Sequence, residues 1–388
     1  MSIQNIRIAQ SQATEAKKAV EEFHKGVIQP NMELVLFFCS SEYDLDIIAS
    51  EMDRLFAGIM VVGCTTAGEI GPEGYLTHSL SGASFPSGSF TAVSGVLHHL
   101  DHFNMTDGHH FAQTLLQQLE SKAPEADTEN SFALMLIDGL SIREEPVAHA
   151  LQYALGKISL FGGSAGDDLK FVTTYVYSDG HFHSDSVVLV LITTSLPFTI
   201  FKTQHFISTD ERLVVTAANT AERIVQEING LPAAQEYARL LGINVNELDP
   251  AHFAVSPVVV MIDGTDYVRS IQKANPDGSL TFFCAIDEGL VFRVAQGVGL
   301  VNNLEQTFNK IREEIGEPQL VLGCDCILRS LEINQHGLKD RVCEVFKPNN
   351  TIGFSSYGEQ FNGVHVNQTL TGIAIGTSPK STVEVDNA

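Results

Sequence analysis

The chain has 388 residues, 44% of them hydrophobic, which is enough for two domains or one elaborate domain with a buried core. It carries 23 Lys+Arg against 47 Asp+Glu, a formal charge of −24, and so acidic a surface repels phosphate backbones and anionic lipid, which excludes nucleic acid and membrane surfaces as partners. The start Met1-Ser-Ile-Gln-Asn-Ile-Arg7 has no basic region ahead of an apolar stretch, Val187 to Ile192 falls far short of the ~20 residues of a spanning helix, and six cysteines suit a reducing compartment, so a cytoplasmic protein is expected.

Taken in chain order, the first predicted unit runs from an apolar strand, Glu33-Leu-Val-Leu-Phe-Phe-Cys39, to a helix with Leu45, Ile48, Met52, Leu55 and Phe56 at three- and four-residue spacing. It closes on a second strand and turn, Met60-Val-Val-Gly-Cys-Thr-Thr-Ala-Gly68-Glu69. A second unit begins Phe132-Ala-Leu-Met-Leu-Ile-Asp138, continues through a helix over Pro146 to Leu155, and closes Leu160-Phe-Gly-Gly-Ser-Ala-Gly166-Asp167. Strand-rich stretches follow at Phe171–Tyr177 and Ser186–Ile192, around a turn at Ser178-Asp-Gly180. Helices are predicted over Ala217–Ile228 and Gln235–Leu241, leading into a strand from Pro257 to Asp263. A third unit begins Gln319-Leu-Val-Leu-Gly-Cys324 and closes Thr351-Ile-Gly-Phe-Ser-Ser-Tyr357-Gly358-Glu359. The last residues, 377–388, read as a disordered tail.

Such internal similarity is the most informative feature of the sequence. The strands lack alternation, as strands covered on both faces do. Each unit ends in a Gly-acid turn, where glycine permits positive φ and close backbone approach. Aligning Gly68 with Gly358 sets Tyr75 opposite His365 and His78 opposite Gln368. The fold class expected is α/β, with mixed sheets built from repeated strand–helix–strand units.

The turns Gly63-Cys-Thr-Thr-Ala-Gly-Glu69, Gly162-Gly-Ser-Ala-Gly-Asp167 and Gly353-Phe-Ser-Ser-Tyr-Gly-Glu-Gln360, with the ending Val366-Asn-Gln-Thr-Leu-Thr-Gly-Ile-Ala-Ile-Gly376, together resemble the FIST sensory domain. The resemblance implies a two-half architecture, residues 25–220 forming the N-terminal domain and 221–376 the C-terminal one. Gly363-Val-His-Val-Asn-Gln-Thr369 and the stand-alone layout resemble the nitric oxide-sensing haemoproteins of that family. That implies haem b, a diatomic gas ligand, and regulation of a separate histidine kinase or of a cyclic-di-GMP synthase or phosphodiesterase; homo-oligomerisation is compatible with it.

Without a Cys-x-x-Cys-His motif, haem would be held by a histidine in an apolar pocket. His365, beside Gly358 and Gly363, is the first candidate for the iron, ahead of His205 and His78. His98, His99, His109, His110, His181 and His183 sit in polar contexts and read as solvated. The turns themselves suggest a pocket lined by Gly68, Glu69, Asp138, Gly166, Asp167, Tyr357, Gly358, Glu359 and Asn367. The competing expectation is a sensor of an amino acid or similar metabolite without haem, its ammonium group held by Glu69, Asp167 and Glu359.

Enzyme readings fare worse. Gly162-Gly-Ser164-Ala-Gly166 has the spacing of a nucleophile elbow, but the residues after it read as strand where that motif needs a helix. Cys324, Cys326, His336 and Cys343 do not have the spacing of a zinc finger, and Cys324 and Cys326, in an apolar strand, read as buried free thiols. Cys326-Ile-Leu-Arg329 resembles a family element whose purpose the sequence does not disclose.

Overall fold

The computed structural model describes residues 5–262 and 265–377; most of the predicted tail lies outside them. Unit one comprises β1 (Arg7–Ser11), α1 (Ala16–Val27), β2 (Met32–Ser40), α2 (Leu45–Leu55), β3 (Met60–Thr66), the hairpin β4 (Glu69–Gly71) and β5 (Gly74–Leu76), and β6 (Leu80–Pro86). Unit two repeats this as β7 (Phe90–His98), α3 (Met105–Lys122), β8 (Ser131–Ile137), α4 (Glu144–Leu155), β9 (Ser159–Ser164), the hairpin β10 (Val176–Ser178) and β11 (His181–His183), and β12 (Ser186–Thr194). Unit three opens with β13 (Phe198–Thr203) and is then interrupted by an insert. The insert contains β14 (Phe206–Asn219), β15 (Ile224–Ile228), β16 (Leu231–Pro232), α5 (Ala233–Leu241) and α6 (Pro250–Val255). It continues with β17 (Val258–Ile262), β18 (Thr265–Arg269), β19 (Ile271–Ala274), β20 (Leu280–Phe282) and β21 (Val291–Gly297). The unit then resumes with α7 (Leu300–Ile315), β22 (Pro318–Cys326), α8 (Ile327–Gln335), α9 (Lys339–Phe346), β23 (Thr351–Ser356), the hairpin β24 (Glu359–Phe361) and β25 (Val364–Val366), and β26 (Leu370–Gly376).

Each unit builds its own sheet and lends its hairpin to another. The orders are β1-β6-β2-β3-β10-β11, β7-β12-β8-β9-β24-β25 and β13-β26-β22-β23-β4-β5. Hairpin one therefore completes sheet three, hairpin three completes sheet two, and hairpin two completes sheet one. This cyclic exchange is a pseudo-threefold arrangement. The strands joined by a helix, β2–β3, β8–β9 and β22–β23, are parallel, and the remaining pairs are antiparallel, so the sheets are mixed as expected.

Double coverage explains the unbroken apolar runs. Along β2, Leu34, Leu36 and Phe38 enter a core shared by all three sheets, while Val35, Phe37 and Cys39 pack beneath α1 and α2; this is the two-residue period of a strand with both faces buried. Phe38 and Phe354, from sheets one and three, stack in the shared core with centroids 4.7 Å apart. The outer faces of sheets two and three are covered by α3–α4 and by α7–α9. No helix among the described residues is long and apolar enough to cross a membrane.

The insert has its own core around Leu213, Val215, Tyr237, Phe253, Phe282 and Phe292. The chain leaves and re-enters the threefold body at one neck, where Val298 N–H donates to His205 O at 2.8 Å. The segment 217–228, predicted as a helix, is instead the end of β14, a turn over 220–223 and β15, and the two strands pair antiparallel. Arg223, at φ +56°, stands in the left-handed region that a helix excludes. In unit two, residues 171–175 form a loop, and only from Val176 does the predicted strand begin.

Candidate functional site

The three corners meet at the end of the body where the parallel strands finish. Ala67 N–H donates to Ser355 O (2.9 Å), Tyr357 N–H to Ser164 O (3.2 Å) and Gly166 N–H to Thr65 O (3.0 Å). A second ring repeats the symmetry: Ser355 N–H to Gly68 O, Ser164 N–H to Gly358 O and Thr65 N–H to Tyr175 O. Tyr175 and Val176, rather than Gly166 and Asp167, are thus the counterparts of Gly68/Glu69 and Gly358/Glu359. Unit two has an extra loop at this place, and Asp167 holds it by accepting from Phe171, Val172 and Thr173 N–H and from the Tyr357 hydroxyl.

The corners are also packed tightly against each other. A Cβ on Gly166 would lie 2.7 Å from Ala67 N, and one on Gly139 only 2.1 Å from Ala165 O. The acids are already satisfied. Glu69 accepts from the Thr66 hydroxyl and from Ser79 N–H and Oγ–H (3.1 and 2.6 Å), locking hairpin one to the start of β6. Glu359 does the same for hairpin three with Ser356 Oγ–H (2.6 Å) and Thr369 N–H and Oγ1–H (3.2 and 2.7 Å). Burial outweighs these bonds and pushes the carboxyl pKa values up to about 7 for Glu69 and about 8 for Glu359. Asp138 accepts from Leu140 N–H, Asp185 N–H and the Thr174 hydroxyl. None of these carboxyls is left over to hold an ammonium group.

Unused hydrogen-bonding capacity lies one step further on, where hairpin three passes under the insert. His365 stands on β25 opposite Gln360 on β24. Gln360 Nε2 lies 3.2 Å from its Nδ1 and 3.1 Å from Ser164 Oγ, and Asn367 Nδ2 lies 3.5 Å from its Nε2. Gln368 Nε2–H donates to Phe253 O of the insert at 3.0 Å. Each of the three amides has one end so placed and the other, the oxygen, buried without a partner. The insert brings two more unpartnered groups to this region, Arg269 Nε and Ser270 Oγ, with β18 in contact with β25. Such a group costs about 1–3 kcal/mol when left unpaired, so three such amides on hairpin three and the turn after it mark a place built for something other than stability.

The electrostatics follow from burial. Desolvation lowers the His365 pKa, partly offset by Glu145 and Glu144 at the start of α4, so the imidazole is neutral at pH 7. Those two carboxylates are tied to the insert: Arg223 donates to Glu144 (2.6 Å), to Glu145 and to Phe283 O (2.7 Å), and Ala285 N–H donates to Glu145 (2.6 Å). An apolar seam of Phe283, Ala254, Tyr357, Ala67 and Leu328 completes the contact between insert and corners.

The other expected ligands lie elsewhere. His205 is buried in the neck, its Nε2 2.9 Å from Glu332 and its Nδ1 3.2 Å from Arg329 Nη1. Arg329 donates to Asp325 at 2.7 Å, and Asp325 accepts from the Tyr75 hydroxyl of hairpin one. Cys326-x-x-Arg329 is therefore the junction of β22 and α8 that places a fully buried guanidinium in this network. His78 pairs with Glu42 at 2.8 Å near the surface, against Tyr43. Cys324 and Cys326 are free and buried, and burial pushes both thiol pKa values up.

The residues around His365 do not fit haem. An axial histidine needs a ring nitrogen facing a flat apolar slot, but both His365 nitrogens face amides. Its Cε1 is so close to the backbone that a Cβ on Gly358 would come within 2.2 Å.

Sequence reasoning found His365, Asn367 and Gly358, which do lie together, and missed Gln360, Gln368, Arg269, Ser270 and the Glu144–Glu145–Arg223 tie. Gln360 and Gln368 stood inside motifs already noted. The available signal was the exchange of Ile70 and Tyr75 in unit one for Gln360 and His365 in unit three.

A search of curated proteins finds none that matches. Among solved structures, one described as "Cyanuric acid hydrolase: evolutionary innovation by structural concatenation" aligns over 96% of this chain and 99% of its own, at 9% identity and a TM-score of 0.38; that likeness is too weak to carry an argument. The FIST N domain matches residues 33–231 and the FIST C domain residues 233–362, the junction falling inside the insert between β16 and α5. FIST domains are small-ligand sensing domains of signalling proteins. Two matches that meet within the insert, and together take in all three corners and the first strand of hairpin three, place this chain in the FIST family.

Proposed function

We propose that the chain senses a small zwitterion of the amino-acid class, bound between hairpin three and the insert, and that its occupancy is read by a separate signalling partner. The observation that carries this reading is the set of buried, unpartnered amide oxygens on Gln360, Asn367 and Gln368; Arg269 Nε and Ser270 Oγ, at the end of an insert strand that contacts β25, are unpartnered too. Carbonyl acceptors suit an ammonium group, and a guanidinium suits a carboxylate. Neutral His365 supplies one further donor or acceptor without adding charge.

The mechanism follows from the attachment of the insert. It meets the body at a single chain neck, through the Arg223 tie, the Gln368–Phe253 bond and the apolar seam, so a ligand touching both sides favours the docked arrangement over a loosened one. A histidine kinase or a cyclic-di-GMP synthase or phosphodiesterase is the partner class proposed to read that difference. Nitric oxide sensing through haem is the less favoured reading, because the surroundings of His365 are polar and its ring is enclosed.

Isothermal titration with a panel of amino acids tests the proposal. At least one should bind with one-to-one stoichiometry, and Gln368→Leu and Arg269→Met should each weaken it about tenfold or more. Failure of the whole panel, or a Soret band after haem addition that disappears in His365→Ala, would reverse the preference between the two readings.

A further inference from the structure

The left-handed position that ends each hairpin is occupied by His78 in unit one, Asp185 in unit two and Gln368 in unit three, at φ +47°, +47° and +52°. In unit one this residue is ion-paired with Glu42, and in unit three it reaches the insert. In unit two it faces a turn rich in histidine and aspartate. We propose that His99, Asp101 and Asp185 form a binding site for a borderline divalent transition metal such as Zn²⁺, at the surface of unit two.

Their ligand atoms, an imidazole nitrogen and two carboxylate oxygens, all lie within 4.8 Å of one another. Three donors around a zinc ion at ~2.0–2.2 Å stand about 3.4 Å apart in a tetrahedral arrangement. Small rotamer changes in His99 and Asp101, both exposed, close that difference. The backbone is already folded for it: Leu100 N–H donates to Asp185 O, and Asp101 N–H to Asp185 Oδ1, both at 3.1 Å. Asp185 is fixed from behind by its N–H bond to Asp138, and the turn is fixed from the side by Arg143 Nε–H, which donates to Leu100 O at 3.2 Å.

Two further imidazoles, His98 and His183, stand at the same edge. The rings of His98 and His183 are 4.8 Å apart, and His98 and His99 are 6.4 Å apart. Two carboxylates this close repel without a cation between them. A divalent ion removes that repulsion. One nitrogen and two carboxylate donors favour Zn²⁺, Co²⁺, Ni²⁺ or Cu²⁺ over Mg²⁺ and Ca²⁺, which take oxygen alone. The remaining positions are open to water or to a side chain from a partner.

The test is a titration of the full chain with Co²⁺, followed by visible absorption, and with Zn²⁺, followed by calorimetry. One equivalent should bind, and a large excess of Mg²⁺ should not displace it. His99→Asn and Asp185→Asn, both compatible with the left-handed backbone, should each weaken binding about tenfold or more, while His110→Asn on α3 should leave it unchanged. No binding, binding that survives both substitutions, or displacement by Mg²⁺ would overturn the assignment. Amino-acid binding at hairpin three is measured separately, so either result leaves the other standing.

Discussion

Hairpins one and three share a backbone plan and differ in what their middle positions carry. Both are locked by a buried glutamate, Glu69 or Glu359, that reaches across to the strand after the hairpin. In hairpin one the next cross-strand pair is Ile70 and Tyr75, and the Tyr75 hydroxyl ends on Asp325. In hairpin three the same pair is Gln360 and His365, with amide oxygens left unpaired. The lock belongs to the architecture and recurs; the orphaned groups occur where the insert covers the hairpin. The comparison teaches that one unchanged frame carries an Ile–Tyr pair in unit one and a Gln–His pair in unit three.

The largest effect is expected beneath hairpin one. Arg329→Met would strand Asp325 and His205 in a buried network and cost about 3–5 kcal/mol, read by denaturant unfolding. Swapping the middle residues sharpens the contrast. Ile70→Gln would bury an amide with no site built for it and should cost about 2–4 kcal/mol, whereas Gln360→Ile should change stability by less than about 1 kcal/mol while abolishing ligand binding. Equal losses from the two substitutions would dissolve the distinction drawn here.

The locks give a pH signature. Carboxyls at about 7 and about 8 in the folded chain lie above the unfolded glutamate value of ~4.3. The folded state then holds the extra protons, so their stabilising contribution is complete below that value and is lost as pH rises toward 8. Stability should fall by about 1 kcal/mol per pH unit for each group in that window, and Glu359→Gln should remove its share of the slope. The smallest effect belongs to the surface: the His78–Glu42 pair is half open to solvent, so His78→Ala should cost no more than about 0.5 kcal/mol.

Much of the frame could be read from sequence because it is local. The doubly covered strands announce themselves as apolar runs without alternation, and the Gly-Glu corners repeat in register. Exchange of hairpins was not legible, since it joins strands from different units and leaves no mark in any one of them. The segment 217–228 misled because Ala217, Ala218, Ala221, Ile224, Val225 and Ile228 fall at helical spacing, while the signal against a helix, Arg223 in the left-handed region, is visible only in the backbone. Asp167 was matched to Glu69 and Glu359 by sequence, yet the hydrogen-bond rings align Val176 there, because a loop insertion shifts unit two. His365 was found as a candidate, but the insert residue that meets its hairpin, Phe253 bonded by Gln368, lies about a hundred residues away in the chain.

Hydrogen exchange of the full chain with and without the amino acid that binds is the most direct measurement. The account predicts coordinated protection of segments 250–256, 266–273 and 358–369, which face each other across the insert and hairpin three. Protection confined instead to the recess of about 440 Å³ around Phe90, Asn130, Thr194 and Phe198, at the opposite end of the body, would contradict it.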